Sequence, residues 1–338
     1  MANIWRRTCL GLAIAGGLFG LRYIPREQAP TLIRLSRPLM GTLWTIEVFD
    51  EGRPAAARAA IDQAFQELVR IDQLMSEWKP ESPISHVNAA AGKAAVTVPA
   101  ELREMLERAR RYSEKSEGAF DITWRGMGRI WKFDDSFQPP AAQAVEAARR
   151  NVDYRAVRIE GNRIFLPKAT MSIGLGGIAK GYAVDRAAAV IARAGFGNAM
   201  VDGGGDVRVS GTRAGAAWRL GIQHPRKERG ELLGTVTPGN RVLVTSGDYE
   251  RFRMVNGVRY HHIIDVRTGW PAKAASSVSV LAPTAEQGVV LAKVIFILGP
   301  EKGLALARAE GVDALLIDPA GRRYATGGFE SFLNQEGN

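Results

Sequence analysis

A short apolar segment leads into Gly174, Gly176 and Gly177, then Lys180 and Gly181, before a helical pattern takes over. Glycines at such a turn remove side chains, so backbone N–H groups can approach a phosphate. The N-terminus of the helix that follows adds partial positive charge, and Lys180 adds a full one. The helical pattern ends at Gly195, a strand follows at Asn198–Val201, and that strand breaks at Gly203-Gly-Gly-Asp206. This is a place built to hold a nucleotide.

One nucleotide reading is a dinucleotide fold of the NAD type. Gly174-x-Gly176-x-x-Ala179 satisfies the G-x-G-x-x-A fingerprint, and Asp202 closes the second strand where a ribose-binding acid belongs. Three features weigh against it. The chain beyond Gly205 reads as strands and turns rather than further βα repeats. Lys180 stands one turn into the helix, where the fingerprint asks for nothing basic. The motif also begins near mid-chain.

Further polar clusters fall between apolar elements, where binding residues concentrate. One is Met75-Ser-Glu-Trp78 followed by Ser82-Pro-Ile-Ser85-His86-Val-Asn88. Trp78 has two open readings: a platform for a planar ring, or a plug for the core. Another is Gly118-Ala-Phe-Asp121-Ile-Thr123. The last two are Thr245-Ser-Gly-Asp-Tyr249 and His261-His262-Ile-Ile-Asp265 with Thr268-Gly269. Adjacent histidines in a strand point to opposite faces, so His262 shares a face with Ile264 while Asp265 lies on the other. A lone strand histidine serves as a structural group or as a base, and the pattern alone leaves both open.

The elements that must position these groups mix helix and strand without βα alternation. Strands are predicted at Thr42–Phe49, Val157–Leu166 (bent at Gly161-Asn162), Ala169–Ile173, Val207–Ser210, Trp218–Gln223, Val242–Ser246, Tyr260–Asp265 and Ser276–Ala282. Apolar residues at helical spacing predict helices over Ala55–Met75, Pro99–Ser116, Ala141–Arg149 and Ala285–Leu298. A helix–strand pair at Lys302–Ile317 closes the chain, and Arg22–Leu35 reads as a linker. The fold class is therefore α+β, as one intertwined domain.

The 338 residues include 45 Lys and Arg against 35 Asp and Glu, so the formal net charge is +10. That balance favours anionic partners, but no run of five basic residues and no nucleic-acid motif occurs, so nucleic acid is excluded as a partner. Arg6-Arg7 precede an apolar stretch, Cys9–Leu21, which Arg22 and a polar segment follow. The pattern predicts a twin-arginine export signal in residues 1–30, with the functional domain in residues 31–338. An A-x-A cleavage site is missing, which allows the segment to stay as an inner-membrane anchor; the expected location is the periplasm. Cys9 is the only cysteine, so the exported part has no disulfide or thiol chemistry.

Taken together, the clusters resemble the ApbE family of flavin transferases. The matching residues are Met40-Gly-Thr-Leu-Trp44, Ser76-Glu-Trp78 with Ser82, Ser85 and Asn88, Gly118-Ala-Phe-Asp121, and Gly176-Gly-Ile-Ala-Lys180-Gly-Tyr-Ala-Val-Asp185. They continue with Gly204-Gly-Asp206, Thr245-Ser-Gly-Asp-Tyr249 and His262-Ile-Ile-Asp265 with Thr268-Gly269, in the family's order. The resemblance covers about Met40 to Ile317. It implies a T-fold-like mixed α/β-sheet catalytic domain that splits FAD, releases AMP and attaches FMN through a phosphoester to a Ser or Thr of an acceptor protein. A membrane-associated electron-transfer protein is the acceptor such an exported enzyme would serve.

By motif position the resemblance implies that Met40, Trp78, Ala119, Phe120, Asp121, Gly174, Lys180 and His262 hold FAD. It makes His262 also the base for the acceptor hydroxyl, with Asp265 orienting that strand or contacting the cofactor and Lys180 at the phosphates. It also implies Mg²⁺, and there this sequence departs from the family pattern. The acid that opens the family's Asp-x-Gly-Gly-x-Ala-Lys-Gly turn is Gly174 here. The Asp and Thr of the family's metal-binding helix are Val289 and Lys293. Only a backbone carbonyl near Gly177 carries over as a metal ligand, and hard cations require oxygen donors. The alternative that follows is a non-catalytic FAD- or FMN-binding protein with a degenerate metal site.

Overall fold

The computed structural model describes residues 30–334, so the predicted export segment lies outside the described residues but for Pro30. Eight strands form the main sheet: β1 (Leu32–Leu39), β2 (Thr42–Phe49), β3 (Ala199–Gly203), β4 (Val207–Ser210), β5 (Val242–Gly247), β6 (Ser277–Ala282), β7 (Asp313–Ile317) and β8 (Arg323–Ala325). Their order across the sheet is their order in the chain, and each neighbouring pair is antiparallel. A dinucleotide fold needs a parallel sheet, so the NAD-type reading of the glycine fingerprint fails on topology.

The supposed linker is in fact the edge strand β1, paired with β2 from Leu32↔Phe49 to Leu39↔Thr42. Pro38 weakened its strand signal, but proline is compatible with an edge strand, where one N–H row is unpaired. The hairpin closes through Met40 and Gly41, both at positive φ (49° and 73°), the twist a two-residue hairpin turn requires.

Three long helices, α1 (Pro54–Met75), α2 (Ala179–Arg193) and α3 (Ala285–Ala309), pack on one face of the sheet. Alternate residues of β5, β6 and β7 divide the faces. Val242, Val244, Val278, Val280, Ala314 and Leu316 join the helices in the largest core. Leu243, Leu281 and Leu315 turn the other way onto Ile222, Val236 and Phe329. The predicted break between two helices after Leu298 is a kink within α3, where Gly299 leaves helical geometry (φ 80°) ahead of Pro300. Among the described residues no helix is long and apolar enough to cross a membrane.

Two predicted strands are not continuous strands in the fold. Ala169–Ile173 contributes only an isolated bridge from Ser172 to Trp124. The Asn88 side chain replaces a strand partner there: its Nδ2 donates to the Ile173 carbonyl (2.8 Å) and its Oδ1 accepts from the Ile173 N–H (2.7 Å). Tyr260–Asp265 splits after His261 into a hairpin strand, Val258–His261, and a short pair of Ile264–Asp265 with Trp270–Pro271. The alternating faces expected for His262, Ile264 and Asp265 do not apply across that break.

Candidate functional site

The glycine turn enters α2 without a side-chain cap; the Ile178 and Ala179 N–H groups donate to the Leu175 carbonyl (2.9 and 2.8 Å), and among the described residues no neighbouring hydroxyl or carboxylate takes the N–H groups of Lys180 and Gly181. The turn is anchored from behind, where the Gly174 N–H donates to the Ile122 carbonyl (2.8 Å) and Asn88 clamps Ile173. Lys180, in the first turn of α2, sets its ammonium 3.7 Å from the Asp206 carboxylate. Asp206 is delivered by the β3–β4 connection, closed by a bond from the Gly203 N–H to the Asp206 carbonyl (3.0 Å). Asp202 braces the same turn by accepting the Gly205 N–H (2.7 Å), and is therefore a structural acid. Gly204 and Gly205 sit at φ 75° and 95°, and a side chain at Gly204 would collide with Thr42. The Met40-Gly41 hairpin tip thus lies beside the Asp206 turn, with Met40 half-buried against the core edge.

Phe120 stands against the same turn: a Cβ at Gly177 would lie 3.0 Å from the Phe120 ring and 4.0 Å from Cδ of Lys293. Lys293, half-buried on α3, donates to the Val289 carbonyl one helical turn back (3.1 Å). Burial and, secondarily, the nearby Lys180 charge pull its ammonium down to about 8, with Asp206 opposing. Lys180, Lys293 and Asp206 therefore form one charge cluster around Gly177.

His262 belongs to that cluster too. Burial first, and the positive charge of Lys293 second, push its imidazolium down to about 3, so the ring is neutral at ordinary pH. Its N–H and its Nδ1 both face the Arg251 carbonyl (3.1 and 3.3 Å). A carbonyl can only accept, so Nδ1 carries the proton and Nε2 keeps the free lone pair. His261, by contrast, is buried, bonded through Nε2 to the Ala272 carbonyl (2.9 Å) and edge-on to Phe296. It holds the core together.

Two predicted site residues are engaged elsewhere. Asp121 is buried, with Oδ1 accepting from the Thr123 N–H and hydroxyl (both 2.7 Å) and Oδ2 from the Tyr154 N–H (2.9 Å). It shapes the loop that carries Ala119 and Phe120, and three hydrogen bonds hold it there. Asp265 forms a two-bond pair with Arg267 (2.9 Å each) and caps the Arg267 N–H (3.0 Å). The group that orients His262 is the Arg251 carbonyl, a main-chain atom that no side-chain motif announces.

Trp78 is 79% exposed, which rules out a role as a core plug. Arg125 lies 4.8 Å from its ring centre and donates to the Glu77 carbonyl (2.6 Å). Its other face is available for a planar ring. Glu77, unlike Trp78, turns inward toward Gly174, and burial raises its carboxyl, with the Leu175 N–H opposing. Nothing in the residue pattern marked Glu77 as the acid nearest the glycine turn.

The Mg²⁺ that the resemblance implies does not fit these residues. Val289 is fully buried and offers only its carbonyl, which Lys293 already occupies. Asp206 faces Lys180, and no group of three or more His, Cys, Asp or Glu able to hold a metal exists among the described residues.

An uncapped helix N-terminus, two lysines and a neutral histidine stand together on one antiparallel α+β scaffold. The sequence model of the ApbE family matches residues 40–316, and the chain belongs to that family. Treponema pallidum has a FAD:protein FMN transferase 35% identical over 344 residues, covering 96% of this chain and 94% of that protein. The FAD:protein FMN transferase of Vibrio cholerae is 30% identical over 319 residues, covering 92% and 94%. The ApbE protein of Thermotoga maritima superimposes with a TM-score of 0.83 at 29% identity, covering 90% of this chain and all of that structure (100%).

Proposed function

We infer that this chain is a FAD:protein FMN transferase: it joins the FMN half of FAD to a Ser or Thr hydroxyl of an acceptor protein and releases AMP. The observation that carries this reading is a neutral His262 with a free Nε2, coupled through Lys293 to the phosphate-ready turn at Gly177 and Lys180.

In this reading the diphosphate lies across the N-terminus of α2, against Lys180. The acceptor hydroxyl oxygen attacks the phosphorus of the FMN half, and the bond from that phosphorus to the AMP oxygen breaks. The hydroxyl proton passes to Nε2 of His262, whose ring the Arg251 carbonyl keeps in the required tautomer. AMP leaves with the bridging oxygen and its electron pair, and the lysines offset that charge. Trp78 supplies a stacking face for a ring of the dinucleotide. The same reading takes the enzyme to be exported to the periplasm, on the strength of Arg6-Arg7 and the apolar segment after them. Its acceptor is then a membrane-associated electron-transfer protein.

Val289 and Lys293 favour a second reading, a flavin-binding protein that transfers nothing. One experiment separates them: protein lacking residues 1–30, FAD and a Ser/Thr acceptor domain from an exported flavoprotein, followed by intact mass and AMP release. An FMN adduct with one AMP per adduct supports transfer. Tight FAD binding without adduct on several acceptors supports the second reading.

A further inference from the structure

We propose that the ammonium of Lys293 is the resident cation of this site, neutralising a phosphate of the bound dinucleotide in place of a divalent metal. This deepens the flavin-transfer reading and rests on it. FAD binding, and any transfer that follows, then require no divalent cation.

Three geometric observations carry the inference. First, the Lys293 side chain curls back along its own helix, and Nζ donates to the Val289 carbonyl (3.1 Å). The ammonium is therefore held in one place rather than sweeping through solvent. An ammonium has three donors, and that bond spends one. Among the described residues no carboxylate lies within ion-pair distance of it, because Asp206, the acid of the cluster, is paired with Lys180 instead. Secondly, the Lys293 stem runs alongside Gly177, with Cδ 4.0 Å from the point where a side chain would begin there. That sets the Lys293 stem beside the turn that opens α2. Thirdly, the two helices that carry Lys180 and Lys293 cannot drift apart. A Cβ at Gly181 would stand 2.3 Å from the Ala285 carbonyl, and Asp185 of α2 accepts the Ala285 and Glu286 N–H groups that open α3 (2.9 and 3.0 Å).

The chemistry of the pair differs from that of a metal. A divalent cation binds two phosphate oxygens at fixed short distances and needs carboxylate or hydroxyl donors from the protein. Two ammonium groups give a similar total charge as two separate hydrogen-bond donors, which neutralise a diphosphate without octahedral geometry. The absence of the acid at Val289 is then consistent with the lysine at 293: a carboxylate one turn from this ammonium would pair with it and withdraw it from the ligand.

The test is FAD affinity of the intact chain by calorimetry and flavin fluorescence, in EDTA and in millimolar Mg²⁺. The expected result is equal affinity in both, with Lys293→Met weaker by about tenfold or more and not rescued by Mg²⁺. Lys293→Arg should restore most of the affinity. Circular dichroism and thermal unfolding of each variant establish that it folds. If Lys293→Met is unfolded, the wild-type comparison alone still decides. The double variant Val289→Asp, Lys293→Thr should make FAD binding depend on Mg²⁺, an exchange that loss of packing could not produce. Wild-type affinity that collapses in EDTA and returns with Mg²⁺ would overturn the inference while leaving flavin binding intact. Absence of FAD binding under both conditions would remove the flavin reading together with it.

Discussion

The Glu77 carboxylate occupies the space in front of Gly174: its Oε1 lies 3.1 Å from where a Cβ at position 174 would stand. The acid that the family pattern places on the glycine turn is thus met, from a different segment, by a buried carboxyl beside that turn. Gly174→Asp should therefore crowd two carboxylates together and lower stability by about 1–3 kcal/mol, with weaker FAD binding. Adding Glu77→Ser to Gly174→Asp should recover most of both losses. Thermal unfolding of the single and double variants checks the coupling; additive effects would sever the link between the two positions.

His262→Asn should leave FAD affinity within about twofold while transfer to the acceptor falls by roughly 10²–10⁴-fold, the range for losing a positioned base. Binding and adduct formation are measured on the same preparation. A parallel fall in affinity would assign His262 to cofactor binding instead.

Two glycines five residues apart should behave in opposite ways. Gly181→Ala drives a methyl into the Ala285 carbonyl, 2.3 Å away, and should destabilise by about 2 kcal/mol or more. Gly176→Ala meets no atom within 4 Å and has no positive φ to strain, so the fold should tolerate it. FAD affinity should nevertheless drop about tenfold, because the methyl stands where backbone must approach phosphate. Unfolding midpoints and FAD titrations of the two variants, side by side, separate scaffold from site.

Acid should loosen the α1–α2 contact. Glu67 of α1 accepts from Arg70 (2.8 and 3.0 Å) and from Arg186 of α2 (2.9 Å), and the Arg70 bonds chiefly hold its carboxyl down at about 2, against an ordinary value of 4.5. A depressed carboxyl stabilises the fold above the unfolded value, and the contribution is lost as pH falls through the folded one. Stability should therefore decline between about 4.5 and about 2, and Glu67→Gln should flatten that part of the profile. Denaturant midpoints measured across this window check it; an unchanged slope in the variant would exclude Glu67 as the cause.

The glycine turn with Lys180, the long amphipathic helices and the ordered run of family motifs were legible in the residues, because each depends on local spacing. Phosphate-ready turns and helix periodicity are properties of consecutive residues. Local spacing misled where pairing is non-local. The edge strand Leu32–Leu39 exists because Thr42–Phe49 lies beside it, and residues 169–173 are not a strand because Asn88 takes the place of a neighbour. Side-chain roles were still less visible. Asp121 and Asp265 carry the right residue types, yet Thr123, Tyr154 and Arg267 hydrogen-bond to their oxygens. Glu77 lies inside a matching motif whose spacing does not say that its carboxylate turns toward Gly174, and the Arg251 carbonyl, a main-chain atom, carries no side-chain signature. By itself the sequence determined which groups could do the chemistry. The tertiary structure alone decided which were free to do it, because a carboxylate or imidazole becomes a ligand or a base only after its nearer hydrogen-bond partners have been counted.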